Sequence, residues 1–235
     1  MKKIILSAFL LGAMLVTKNT MAQITFGPKA ALNISTIHEK QNSNPYAYNY
    51  NTNRISFQAG LIMNVRLLDY VSIRPELTYN SVGAIATSSN NLYKLTSITN
   101  YLYLPLNIVG QYPLKDNFKL QAFFGPYAAL GLNGKFVFET PTGTGSDKVN
   151  MKKNPSDGYM EFAPLKYYQN PWDFGLNFGV GFQARSFVFS ASYALGLSNT
   201  QAHYSNDADE ANRDNLIRTS NRTISFGIAC LFGGK

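Results

Sequence analysis

Between residues 172 and 198 the chain changes side-chain character at almost every step. Phe174, Leu176, Phe178, Val180, Phe182 and Ala184 alternate with Asp173, Gly175, Asn177, Gly179, Gly181, Gln183 and Arg185. After a reversal near Arg185-Ser186, Phe187, Phe189, Ala191, Tyr193, Leu195 and Leu197 alternate with Ser186, Ser190, Ser192, Gly196 and Ser198, with Val188 and Ala194 as exceptions. A strand sends successive residues to opposite faces, so this period of two predicts a pair of strands. Two architectures share the period. In one, the apolar face packs into a core and the polar face meets water. In the other, the apolar face meets lipid and the polar face lines a lumen.

The remaining chain discriminates between them. Residues 1–22 read as a secretory signal: Lys2 and Lys3 precede an apolar run over residues 4–16, and small residues stand near Ala22. The run is too short for a bilayer-spanning helix. Cys230 is the single cysteine, so neither a lipid-bearing cysteine after the cleavage point nor a disulfide framework is available. Residues 23–235 are long enough for one large all-β domain. Without Lys2, Lys3 and Lys18 the formal charge falls from +8 to +5. The basic residues are scattered, and no run of them points to nucleic acid.

Alternation and turn residues predict eight strands: 24–36, 55–67, 70–83, 97–112, 118–132, the pair within 172–198, and 222–232. Pro75 and Pro105 fall inside the third and fourth. Proline donates no ladder hydrogen bond, so a bulge is expected at each. The connections alternate in length. Those after strands two, four and six are a few residues at most, while residues 38–54, 84–96, 133–171 and 199–221 form long ones. Short turns at one end and long loops at the other are the asymmetry of an outer-membrane barrel, with periplasmic turns and extracellular loops. The expected fold is therefore an all-β, eight-stranded antiparallel up-and-down transmembrane β-barrel, with both termini at the short-turn end.

Side-chain distribution supports that choice. The apolar faces carry almost no charge over about ten residues, the length of a tilted barrel strand. Tyr70, Tyr112, Phe187 and Phe232 stand near the short-turn end, and Tyr93, Tyr167, Tyr168 and Trp172 near the other, as two interfacial girdles. Strand charges lie on the polar face: Lys29, Arg66, Arg74, Glu76, Lys119, Asp173 and Arg185. Eight strands enclose only enough room for side chains. An unpaired buried charge is costly. A lumen network is therefore expected in which Glu76 and Asp173 pair with some of Lys29, Arg66 and Arg74.

Six segments in order, FGPKAALNIS (26–35), IRPELTYNSVG (73–83), YLYLPLNIVGQY (101–112), FFGPYAALGL (123–132), DFGLNFGVGF (173–182) and ISFGIACLF (224–232), resemble the PorT-like outer-membrane β-barrel family. The resemblance spans nearly all of residues 23–235 and implies an eight-stranded barrel in the outer membrane. Its founding member is associated with protein export, but most relatives have no assigned activity, so only fold and location are carried over. Such barrels often end on an aromatic residue; here Phe232 is followed by Gly233-Gly234-Lys235.

Catalytic chemistry is sparse. His38 and His203 are the two histidines, and both fall in long connections. His203 stands near Ser205, Asp207, Asp209 and Glu210, the ingredients of an acyl hydrolase or a cation site, in a polar stretch with no EF-hand spacing. Gly143-Thr144-Gly145 lacks the lysine of a phosphate loop. Cys230 falls on the apolar face, as a small hydrophobe would. The expectation is a non-enzymatic, monomeric outer-membrane barrel. It has a plugged lumen and no metal or other cofactor, contacts outer-membrane lipid, does not bind nucleic acid, and is available to a protein partner through its loops. The alternatives are a soluble exported lipocalin-like carrier of an apolar ligand and a lipid-modifying barrel enzyme.

Overall fold

Each principal strand pairs antiparallel with the next one along the chain, and the last pairs with the first. The computed structural model describes residues 23–41, 52–88, 92–153, 167–202 and 217–233. The expected signal over residues 1–22, and His203 with Ser205, Asp207, Asp209 and Glu210, lie outside them. The strands are β1 (Ile24–Gln41), β2 (Thr52–Leu68), β3 (Val71–Thr87), β4 (Lys94–Lys115), β5 (Phe118–Thr140), β6 (Gly143–Met151), β7 (Tyr167–Gln169), β8 (Trp172–Ala184), β9 (Phe187–Gly196), β10 (Ile217–Cys230) and β11 (Phe232–Gly233). Pairing runs β1-β2-β3-β4-β5-β8-β9-β10 and closes from β10 onto β1. This is a ring of eight strands. β11 continues β10 along β1 in the same register. β6 and β7 lie outside the ring, where β6 pairs with the upper part of β5.

The side chains sort inside out relative to a water-soluble sheet. Phe174, Leu176 and Phe178 are 49%, 39% and 43% exposed on the outer surface, whereas Asp173 and Asn177, which alternate with them, are 3% and 5% exposed. The same alternation holds on β3, β4 and β5, where Leu77, Leu104, Leu106, Phe124 and their neighbours face out while Arg74, Glu76, Asn107 and Gln121 are buried. From Trp172 to Phe182 the outward apolar column rises ten residues. That is about 33 Å along the strand and, at a tilt near 40°, about 25 Å along the barrel axis, the height of a lipid-facing band.

The three short turns lie at one end. One of them, Arg185-Ser186, holds Arg185 at φ 53°, in the left-handed region. A two-residue hairpin with positive φ at its first position matches strand twist and ordinarily takes glycine there.

Four sequence expectations change. Pro75 and Pro105 cause no bulge: the β3–β4 register is unbroken from Val71↔Gly110 to Thr87↔Lys94, and Pro105 stays in step with Tyr127 on β5. A proline deletes a donor without adding a residue, so the ladder skips a rung and keeps its count. The β4–β5 register shifts fall instead at Asn100/Tyr101 and, at the turn end, between Pro113 and Lys115. The 133–171 connection is largely sheet, because β5 runs on to Thr140, turns, and pairs with β6. His38 lies within β1, opposite Ser220 on β10, rather than in a connection. Tyr167 leaves the outer aromatic ring: it meets Phe136 edge-on at 5.0 Å between ring centres.

Candidate functional site

Among the described residues, the lumen is where this fold concentrates buried polar chemistry. It is filled in layers. At the short-turn end Ile62, Val188, Ala229 and Leu231 pack into an apolar plug. Above it stand amides and one cation. Arg74 donates from Nε to Asn64 Oδ1 at 3.3 Å and from an Nη to Gln121 Oε1 at 2.7 Å, and Gln121 in turn donates to Gln183 Oε1 at 3.1 Å. Ser72 donates to Asn64 at 3.0 Å and accepts from Gln111 at 2.6 Å.

The middle layer holds the ion pair. Lys29 Nζ is 2.5 Å from Glu76 Oε2, with side chains only 10% and 3% exposed. Asn107 donates to the other Glu76 oxygen at 3.4 Å, and Asn177 donates to Asn107 at 2.9 Å. Asn33 donates to Asn80 at 2.7 Å and accepts from Ser225 at 2.8 Å.

The upper layer is aromatic. Tyr101, Tyr103 and Tyr127 pack with Val82 and Ala129. Asp173 lies among them, with no ion pair among the described residues. It accepts from Ser198 Oγ at 2.8 Å, Asn221 Nδ2 at 2.9 Å and the Tyr127 hydroxyl at 3.4 Å. Three neutral donors can hold a carboxylate in a dry place when no ion pair is at hand.

A strap closes the mouth. Gln169, on β7, accepts from Thr99 Oγ1 at 2.8 Å and donates to the Tyr101 hydroxyl at 3.0 Å. Asn170 donates its backbone N–H to the Thr200 carbonyl at 2.9 Å, and Gly131 N–H reaches the Pro171 carbonyl at 2.6 Å. The interior cavities flanking Tyr103 measure about 10 Å³ each, room for about one water. A carrier needs a pocket for its cargo; among the described residues these two cavities are too small for one.

Of the residues expected to form one lumen network, the structure joins Lys29 to Glu76. Arg74 and Glu76 share the inward face of β3, two residues apart, but Arg74 is held by amides. Asp173 sits a layer higher with neutral partners. Arg66 is at the turn-end rim, 2.9 Å from Asp69, with side chains 38% and 84% exposed. Rim exposure satisfies its charge with water, so no buried partner is required. Lys119 is half-buried and Arg185 exposed at the turn end.

The amide ladder and the three tyrosines were not singled out from sequence. Tyr101-Leu102-Tyr103-Leu104 reads as continuous apolar strand, and only the parity of Asn107 separates its two faces. Cys230 faces outward, half-exposed, on the apolar side. Among the described residues, no group of three His, Cys, Asp or Glu is close enough to hold a metal.

Several solved structures are similar in outline. Ail, the attachment invasion locus protein of Yersinia pestis, is 13% identical over 90% of this chain and 100% of its own, with a TM-score of 0.39. OprG from Pseudomonas aeruginosa is 12% identical over 91% and 97%, at 0.39. Neisserial surface protein A is 11% identical over 89% and 97%, at 0.37. No curated protein matches the chain. The fold therefore rests on the strand pairing, and the family on a match over residues 18–202, which runs through β9. A closed eight-strand ring with its apolar side outward, matched over most of its length, places this chain in the family of outer membrane protein beta-barrel domains.

Proposed function

We propose that the chain spans the outer membrane as a monomeric, sealed barrel that works by surface interaction rather than by catalysis or transport. Its short turns face the periplasm, and its extended strands and connections face outward. The observation that carries this reading is the pair of faces on β8: half-exposed phenylalanines outside, buried asparagine and aspartate inside. In water such an outer surface would be an aggregating patch many times larger than monomers tolerate; in lipid it is the solvated face. The filled lumen supports the absence of a conduit.

The strands do not stop at the apolar band. β4 and β5 have 22 and 23 residues, about twice what a tilted crossing needs. With β6 and β7 their upper halves form a protruding sheet in which, among the described residues, residues 143–148 of β6 have a strand partner on one side only. An open edge offers backbone hydrogen bonds to an extended segment of another protein. The PorT-like motifs favour that branch of the family. Membrane fractionation with surface proteolysis tests the reading: cleavage within residues 133–171 on intact cells supports it. A soluble periplasmic product would refute it, and steady ion conductance through the purified protein in planar bilayers would refute the sealed lumen.

A further inference from the structure

Two lysines stand side by side on the protruding sheet, with no acid between them among the described residues. Lys135 on β5 is the register partner of Lys148 on β6, and both are exposed. Like charges directly opposite one another destabilise a strand pair. Their described neighbours offer no relief. On the other side Lys135 faces Ile98 of β4. The next rows hold Val137 with Ser146 below the hairpin turn and Asn133 beside Asn100 toward the barrel. Asp147 adjoins Lys148 in sequence, so it points to the opposite face. Glu139, four residues along the same face of β5 from Lys135, is already 3.0 Å from Lys94. Among the described residues neither Lys135 nor Lys148 has an ion pair.

Their height identifies what would neutralise them. This face continues the outward column of β4: Leu106, Leu104 and Leu102 lead to Asn100 and then Ile98, the row of Lys135 and Lys148. Four residues separate Leu102 from Ile98, about 13 Å of strand, or about 10 Å along the axis at barrel tilt. Headgroups occupy the first ~5–8 Å beyond the hydrocarbon, and lysine reaches back toward an interface. An asparagine row followed by paired ammonium groups thus stands beside the headgroup layer. We infer that Lys135 and Lys148 together bind the phosphate of an outer-leaflet lipid headgroup, a doubly charged phosphomonoester bridging the two cations. This rests on the membrane orientation proposed above.

The test uses the full chain inserted into phosphatidylcholine vesicles with or without phosphatidic acid, then released for native mass spectrometry. Single variants Lys135→Gln and Lys148→Gln are compared with Lys94→Gln, whose lysine already has Glu139. Wild type should retain phosphatidic acid over phosphatidylcholine. Either first variant should lose that retention about tenfold, the scale of one charge-assisted contact, and Lys94→Gln should keep it. Insertion is scored separately by heat-modifiable mobility and Trp172 emission. Insertion with equal retention in all variants overturns the lysine site alone. Competition by inorganic phosphate as potent as by the lipid overturns the lipid source. Failure to insert overturns the membrane reading and this site with it.

Discussion

The Lys29–Glu76 pair gives the sharpest test of the lumen. Both side chains are nearly excluded from solvent, so the rule for surface pairs does not apply. Removing one member leaves the other charged, dry and unopposed, which costs roughly 3–5 kcal/mol. Glu76→Gln is the cleaner perturbation, since it keeps the volume and an acceptor for Asn107 while deleting the charge. It should destabilise the barrel by about 3 kcal/mol, and Glu76→Ala by more, because the Asn107 amide then also loses an acceptor. The double variant Lys29→Met/Glu76→Gln removes both charges. It should recover most of the loss, giving a coupling of at least about 2 kcal/mol. The assay is urea unfolding in lipid vesicles followed by Trp172, the only tryptophan. Asp69→Ala at the exposed Arg66 pair is the internal control and should shift stability by less than about 0.5 kcal/mol. A Glu76→Gln barrel within 0.5 kcal/mol of wild type, or a coupling near zero, would refute the view that this ion pair is buried and mutually required.

Phe178→Arg places a charge on the middle of the apolar band and should cost about 2–4 kcal/mol in vesicles; a neutral result would mean that Phe178 faces water. Gly125→Ala would put a Cβ 1.9 Å from the Leu106 carbonyl oxygen, so strands β4 and β5 must separate. Folding yield should collapse, whereas Gly145→Ala, with nothing within 4 Å, should fold like wild type on heat-modifiability gels. Arg185→Gly relieves the left-handed backbone at the β8–β9 turn and should raise urea-unfolding stability by up to about 1 kcal/mol.

Period-two patterning made the ring strands legible, because a strand that separates two environments must alternate whatever those environments are. Connection lengths ordered the strands as neighbours for the same reason: a few residues can only join adjacent antiparallel strands. The stretch over residues 143–151 was not legible. Gly143 and Gly145 have little strand preference, and β6 forms because β5 overshoots the ring and offers it an edge. The prolines misled for a related reason. Their effect on one strand is local, but register belongs to closure of the whole ring.

What the amino-acid order determined alone is the alternation: which residues share a face, and that Lys29, Arg74, Glu76 and Asp173 share the polar one. Only the closed ring decided which of these meet. Lys29 and Glu76 are 47 residues apart in the chain, and Asp173 finds Tyr127 and Asn221 from 46 and 48 residues away. Contacts at such separations depend on the stagger between strands, and a stagger is a property of the assembled barrel that no single strand encodes.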